Sequence, residues 1–273
     1  MRKPPLFSQH PGPIGVFDSG YGGLTILEKI RQKLPQYDYL YLGDNARTPY
    51  GTRSFEVVYK YTLECVTRLF EMGCHLIIIA CNTASAKALR TIQQKDLPLM
   101  DGKRRVLGVI RPTVESIGNS TKNKHVGLFA TPGTIQSDSY AMEISKIDPA
   151  IKLSSIACPL WVPLIENNEH LNAGADYFVS NYLEQLFAED EAIDTILLGC
   201  THYPLIVPKI KKALNREDVS IISQGGPVAD SLANYLNRHP EIEAKCTKNS
   251  NCVYYTTESE EKFASSASVF LAE

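Results

Sequence analysis

Short, unbroken aliphatic runs that stop abruptly at a small residue constrain this chain more than any other feature. Leu76-Ile77-Ile78-Ile79-Ala80 ends at Cys81-Asn82-Thr83-Ala84-Ser85, and Ile196-Leu197-Leu198-Gly199 ends at Cys200-Thr201-His202-Tyr203-Pro204. A strand with one wet face alternates apolar and polar residues, so runs like these read as buried strands ending in polar loops. In both, the loop delivers a cysteine first.

The same grammar recurs along the chain. Ile14-Gly15-Val16-Phe17 runs into the turn Asp18-Ser19-Gly20-Tyr21-Gly22-Gly23, after which Leu24, Ile26, Leu27, Ile30 and Leu34 recur at helical intervals. That turn gathers backbone N–H groups suited to a carboxylate or phosphate, but it lacks the G-x-G-x-x-G dinucleotide pattern. A strand over 39–42 precedes the long polar loop 43–51, a helix is expected over 54–72, and a strand over 75–80 leads into Cys81. Further strands are expected at 105–110, 125–130, 151–157, 194–198, 219–223 and 252–256. Helices are expected at 173–187, 204–215, 227–236 and 258–271. Strands alternating with helices across short connections predict an α/β fold of doubly wound, mainly parallel sheets with ligands at the strand C-termini.

The two halves repeat each other faintly. Gly15-Val16-Phe17-Asp18-Ser19-Gly20 is echoed by Gly127-Leu128-Phe129-Ala130-Thr131-Pro132-Gly133, and each G-x-F strand is followed at a similar distance by a strand and its cysteine. The pattern predicts two pseudo-symmetric domains with the active site in the cleft between them.

A cysteine at a helix N-terminus, among N–H groups and hydroxyls, sits where its thiolate is favoured. Two such cysteines supply two bases: one takes a proton from one face of a carbon, the other returns a proton to the opposite face, and exchanging the roles reverses the reaction. His202 is placed to assist Cys200 or to hold a carboxylate. Asp18 occupies the corresponding strand end near Cys81, and Glu166 closes the apolar stretch that begins at Cys158. A thiol hydrolase using Cys200 with His202, and a non-catalytic protein that grips a carboxylate, are the competing readings of these residues.

Composition narrows the field further. A net charge of −2 gives no electrostatic basis for binding nucleic acid or an anionic membrane. No secretory signal or membrane-length apolar run is visible, which predicts a cytoplasmic protein with a short mobile N-terminus. Seven cysteines, an odd number in a chain of 273 residues, point to reduced thiols. No C-x-x-C spacing occurs, so no metal site is expected.

Four segments together identify a resemblance. Phe17-Asp18-Ser19-Gly20-Tyr21-Gly22-Gly23-Leu24, Gly43-Asp44-Asn45-Ala46-Arg47-Thr48-Pro49-Tyr50-Gly51, Ala80-Cys81-Asn82-Thr83-Ala84-Ser85 and Leu198-Gly199-Cys200-Thr201-His202-Tyr203-Pro204-Leu205 resemble the glutamate racemases, in order and along nearly the whole chain. Aspartate and hydantoin racemases share the paired cysteines but do not look like this at the first two segments.

The resemblance implies two flavodoxin-like domains, 1–111 with 225–273 and 112–224. It implies a racemase that interconverts L- and D-glutamate without a cofactor, supplies D-glutamate to peptidoglycan and works as a homodimer. Cys81 would act on the D-enantiomer and Cys200 on the L-enantiomer, with Asp18 assisting the first and His202 and Glu166 the second. Asp18, Ser19, Pro49, Tyr50, Gly51, Asn82, Thr83, Thr131, Thr201 and His202 would hold the substrate, and Asp44 would support them. Two stretches depart from the family pattern near the expected domain junction. Ile110-Arg111-Pro112-Thr113-Val114-Glu115 replaces a small, Gly/Ala-rich opening, and Ser223-Gln224-Gly225-Gly226-Pro227 stands where many members carry an aspartate.

Overall fold

The computed structural model describes residues 7–271 and contains two all-parallel sheets. The strands are β1 (Ile14–Asp18), β2 (Tyr39–Gly43), β3 (Leu76–Ile79), β4 (Arg105–Gly108), β5 (His125–Ala130), β6 (Lys152–Ala157), β7 (Thr195–Gly199), β8 (Ser220–Ile222) and β9 (Cys252–Thr256). One sheet runs β4-β3-β1-β2-β9 and the other β6-β5-β7-β8. Read from the second strand of each, both follow 2-1-3-4, with β9 added outside β2. The repeat seen faintly in the sequence is therefore topological: β1 corresponds to β5, and β3 to β7.

Every residue of β1, β2, β3 and β7 is buried, as strands covered by helices on both faces require. Helix Phe55–Glu71 shows how a helix is delimited locally. Ser54 Oγ accepts from Val57 N at 3.4 Å, and Gly73, at φ +95°, turns the chain away beyond the last helical residue. The chain crosses to the second sheet after β4, through helix Ile110–Glu115, and returns after β8 through helix Gly225–Arg238, which packs on helix Gly23–Lys33.

Three local expectations are corrected. The strand expected over 105–110 ends at Gly108, because Ile110 opens the crossing helix. Helices Ser139–Ile147 and Trp161–Glu166 occupy stretches that carried no expected element. The expected mobile N-terminus falls in part on residues 1–6, which lie outside the described residues, and the rest of it is packed at Phe7 and Gly12. Phe7 is buried, meets Phe70 edge-on at 5.6 Å and lies under the Arg104 guanidinium at 4.8 Å. Gly12 bridges to Cys246, so the segment before β1 is tied to the C-terminal part of the chain.

Candidate active site

The C-terminal ends of the two sheets' equivalent strands open onto one cleft, where open α/β sheets bind ligands. The first sheet's loops contribute Ser19, Pro49, Tyr50, Gly51, Cys81, Asn82 and Thr83 to its walls. Thr131, Cys200, Thr201 and His202 come from the second. Both cysteines thus reach the same space, as the matched motifs require. Asp18, Asp44 and Glu166 are not among the lining residues and stand behind these walls.

On the first side, the chain leaves β3 extended, and Cys81 caps helix Asn82–Lys87 with Ala84 N donating to Sγ at 3.4 Å. The Cys81 thiol donates to Ser19 Oγ at 3.3 Å. Asp18 is fully buried beneath them; its Oδ2 accepts from Gly20 N at 2.9 Å, and among the described residues its Oδ1 has no partner. Burial raises the Asp18 carboxyl above its ordinary range, although His202 pulls the other way. Burial, then the neighbouring Asp18 charge, pushes Cys81 up to about 12. The first half-site holds a neutral thiol.

On the second side the geometry is a chain of three groups. His202 Nδ1 lies 3.9 Å from Cys200 Sγ, and its Nε2 lies 3.0 Å from Glu166 Oε1 at the end of helix Trp161–Glu166. Burial alone would lower His202, but its hydrogen bonds to Cys200 and Glu166 outweigh burial and raise it to about 10. The ring of Phe270, from the last helix, meets the imidazole edge-on at 5.2 Å. A proton is therefore held beside Cys200, away from bulk water.

The halves also touch directly. Thr25 Oγ1 donates to Thr201 O at 3.0 Å, and a Cβ on Gly22 would lie 2.3 Å from Thr201 Oγ1 and 2.4 Å from His202 Nδ1. Gly133 N donates to Gly51 O at 2.8 Å, and the Thr83 and Thr131 hydroxyls are 2.9 Å apart. Asp44 anchors the loop that carries Tyr50 and Gly51. Its carboxylate accepts from the Tyr50 hydroxyl, from Arg47 Nε at 2.7 Å and from Thr257 Oγ1 at 2.9 Å.

Several cleft residues escaped the sequence reading. Cys158 and Pro159 follow β6 as Cys81 follows β3, a signal that was present in the strand-then-cysteine pattern, and Val162 and Pro163 add an apolar wall. A larger groove of about 1330 Å³ lies behind the junction, lined by Arg53, Lys87, Arg90 and Arg111. It contains neither paired thiols nor the His–Glu pair, so the chemistry belongs to the smaller cleft. Among the described residues, no three His, Cys, Asp or Glu side chains are grouped as a metal would need.

Two parallel sheets of matching order, with a thiol at the end of the third strand of each, give the framework that a two-base isomerase needs. Residues 14–231 match the Asp/Glu/Hydantoin racemase family, and the chain belongs to it. Within that family its relatives are narrower in kind. It is 40% identical to the glutamate racemase of Ruegeria sp. (strain TM1040) over 94% of this chain and 96% of the relative. The structure of glutamate racemase isoform RacE1 from Bacillus anthracis superposes with a TM-score of 0.86 at 36% identity, covering 96% of this chain and 94% of that one. That of the Francisella tularensis glutamate racemase, solved in complex with D-glutamate, superposes with a TM-score of 0.83 at 35% identity and the same two coverages.

Proposed function

We propose that the protein is a glutamate racemase that interconverts L- and D-glutamate by two-thiol proton transfer, without a cofactor, and so provides D-glutamate for peptidoglycan. The observation that carries this reading is the placement of Cys81 and Cys200 after corresponding strands on one cleft. On this reading residues 1–111 with 225–273 form one jaw and 112–224 the other. The α-proton of L-glutamate passes to the Cys200 thiolate while the Cys81 thiol protonates the opposite face. The turnover leaves Cys81 as thiolate and Cys200 as thiol, ready for D-glutamate.

The difficulty is the carbanion, since the α-hydrogen is far less acidic than any thiol. Donors at the α-carboxylate offset the growing charge, and a closed cleft strengthens them by excluding water. Asn82, Thr83, Thr131 and Thr201 are the donors in reach of the cleft, Tyr50 and Gly51 form its rim, and Asp18 and His202 face the reacting thiols. Cytoplasmic location and a homodimer complete the reading, and sedimentation of the purified chain tests the latter.

Circular dichroism of purified protein with L- and D-glutamate and L-aspartate, with no added cofactor, tests the activity and the substrate. Solvent deuterium exchange at Cα, started from each enantiomer, tests the mechanism: Cys81→Ser and Cys200→Ser each abolish two-way turnover with the fold intact. Full two-way turnover in Cys200→Ser would refute the two-base route. An acyl adduct on Cys200, found by mass spectrometry, would favour a hydrolase instead.

A further inference from the structure

Gln224, in one of the two stretches that depart from the family pattern, is 2% exposed and immediately precedes the helix that returns the chain to the first sheet. Its carboxamide forms a reciprocal pair with that of Asn82. Asn82 Nδ2 donates to Gln224 Oε1 at 2.6 Å, and Gln224 Nε2 donates to Asn82 Oδ1 at 2.9 Å. Gln224 Nε2 also approaches Tyr140 OH at 2.8 Å and Thr113 Oγ1 at 3.1 Å, so its two N–H bonds are shared among three oxygens. Tyr140 OH donates to Asn82 Oδ1 at 2.8 Å, and Thr113 Oγ1 donates onward to Val109 O at 2.7 Å.

The four residues come from four different places. Asn82 is the neighbour of Cys81 on the first jaw, Tyr140 belongs to the second, Thr113 lies on the outgoing crossing helix and Gln224 stands at the start of the returning one. Counting donors and acceptors fixes the orientation of Asn82. Its Oδ1 is fully used by Tyr140 and Gln224, and one Nδ2 N–H is used by Gln224. The second Nδ2 N–H remains, on a residue that lines the cleft.

We infer that Gln224 is a positioning residue for the reaction. It locks the Asn82 carboxamide with its acceptor turned inward and its free donor toward the substrate carboxylate, and it ties that orientation to both crossings between the jaws. A residue too short to reach Asn82 leaves Asn82 Oδ1 and Nδ2 short of partners and free to turn an acceptor toward an anionic substrate. The inference rests on the cleft's binding an amino-acid carboxylate, as proposed above.

A double-mutant cycle tests it. Gln224→Ala, Asn82→Ala and the double variant are compared with the wild type for kcat and KM in both directions, for D-glutamate affinity by calorimetry, and for melting temperature. Gln224→Ala is expected to lose about ten- to a hundredfold in kcat/KM, the range for stripping a buried carboxamide of its partners. In the Asn82→Ala background the same change is expected to add less than about threefold. Multiplying losses, or a wild-type kcat/KM in Gln224→Ala, overturn the inference. Should the alanine variant not fold, the isosteric Gln224→Glu decides in its place. It removes the N–H that faces Asn82 Oδ1, so wild-type kinetics there also overturn the inference. A wild type that binds D-glutamate without racemising it refutes the proposed activity alone, because the affinity cycle still decides the role of Gln224.

Discussion

The His202 imidazole is strung between a carboxylate and a thiol, with Nε2 3.0 Å from Glu166 Oε1 and Nδ1 3.9 Å from Cys200 Sγ. The first half-site has no such chain; there Cys81 rests on Ser19 above the buried Asp18. The halves share strand order and cysteine position but differ in the groups beside the thiols. That difference yields distinct predictions for each side.

Replacing Glu166 by Gln removes a group that holds the proton on His202. The folded His202 is raised to about 10 against an ordinary value near ~6.5, so its contribution to stability is complete below the lower value and lost as pH rises through the upper. In Glu166→Gln the loss moves to lower pH. The alkaline limb of kcat is expected to shift down by at least about one pH unit, read from racemisation rates between pH 7 and 10.5. An unmoved limb means Glu166 does not set the state of His202.

Asp18 carries the same sign, but from burial rather than from a partner. Its folded carboxyl is raised by burial, so stability falls as pH rises from the ordinary carboxylate range through the raised value. Asp18→Asn removes that penalty. Its melting temperature relative to the wild type is expected to increase by a few degrees from pH 4 to pH 8, while kcat drops by about a hundredfold or more. Thermal melts at the two pH values check the first part, and a constant difference would count against it.

Gly22 has no room for a side chain, because a Cβ would meet Thr201 Oγ1 and His202 Nδ1 well inside contact distance. Gly22→Ala must displace the Cys200–His202 loop or the turn itself. A shift of about 1 Å at the reacting groups costs on the order of a hundredfold. The expected outcome is such a loss in kcat/KM with a modest fall in melting temperature, about 1–3 kcal/mol in stability. Full activity would show that the loop yields freely.

Tyr50 connects the cleft rim to Asp44, which retains Arg47 and Thr257 when the hydroxyl is removed. Tyr50→Phe therefore keeps the anchor but loosens the rim. KM is expected to rise about tenfold with kcat changed less than about threefold, read from steady-state kinetics with each enantiomer. An equal fall in kcat would place Tyr50 in the chemical step instead.

Much of this was already written in the chain. Continuous aliphatic runs such as Leu76–Ile79 fixed buried parallel strands, because only cover on both faces satisfies them. The cysteines after β3 and β7 marked the site, since a strand end is a local feature that a sequence can display. The helix over 139–147 went unread although Ser137-Asp138-Ser139 are residue types that favour a helix start, and Asp138 enters it at φ +54° without a side-chain cap.

What only the tertiary structure decided is which distant residues share a buried polar partner. Gln224 and Asn82 are 142 positions apart, and no periodicity links the start of the returning crossing to the residue beside Cys81. Glu166 sits 36 positions from His202, on a helix whose Trp161 packs against Phe129 and Tyr203. Sequence determines where strands end and which reactive groups stand there. The state of those groups depends on desolvation and on hydrogen bonds across a cleft, and these exist only once the two sheets face each other.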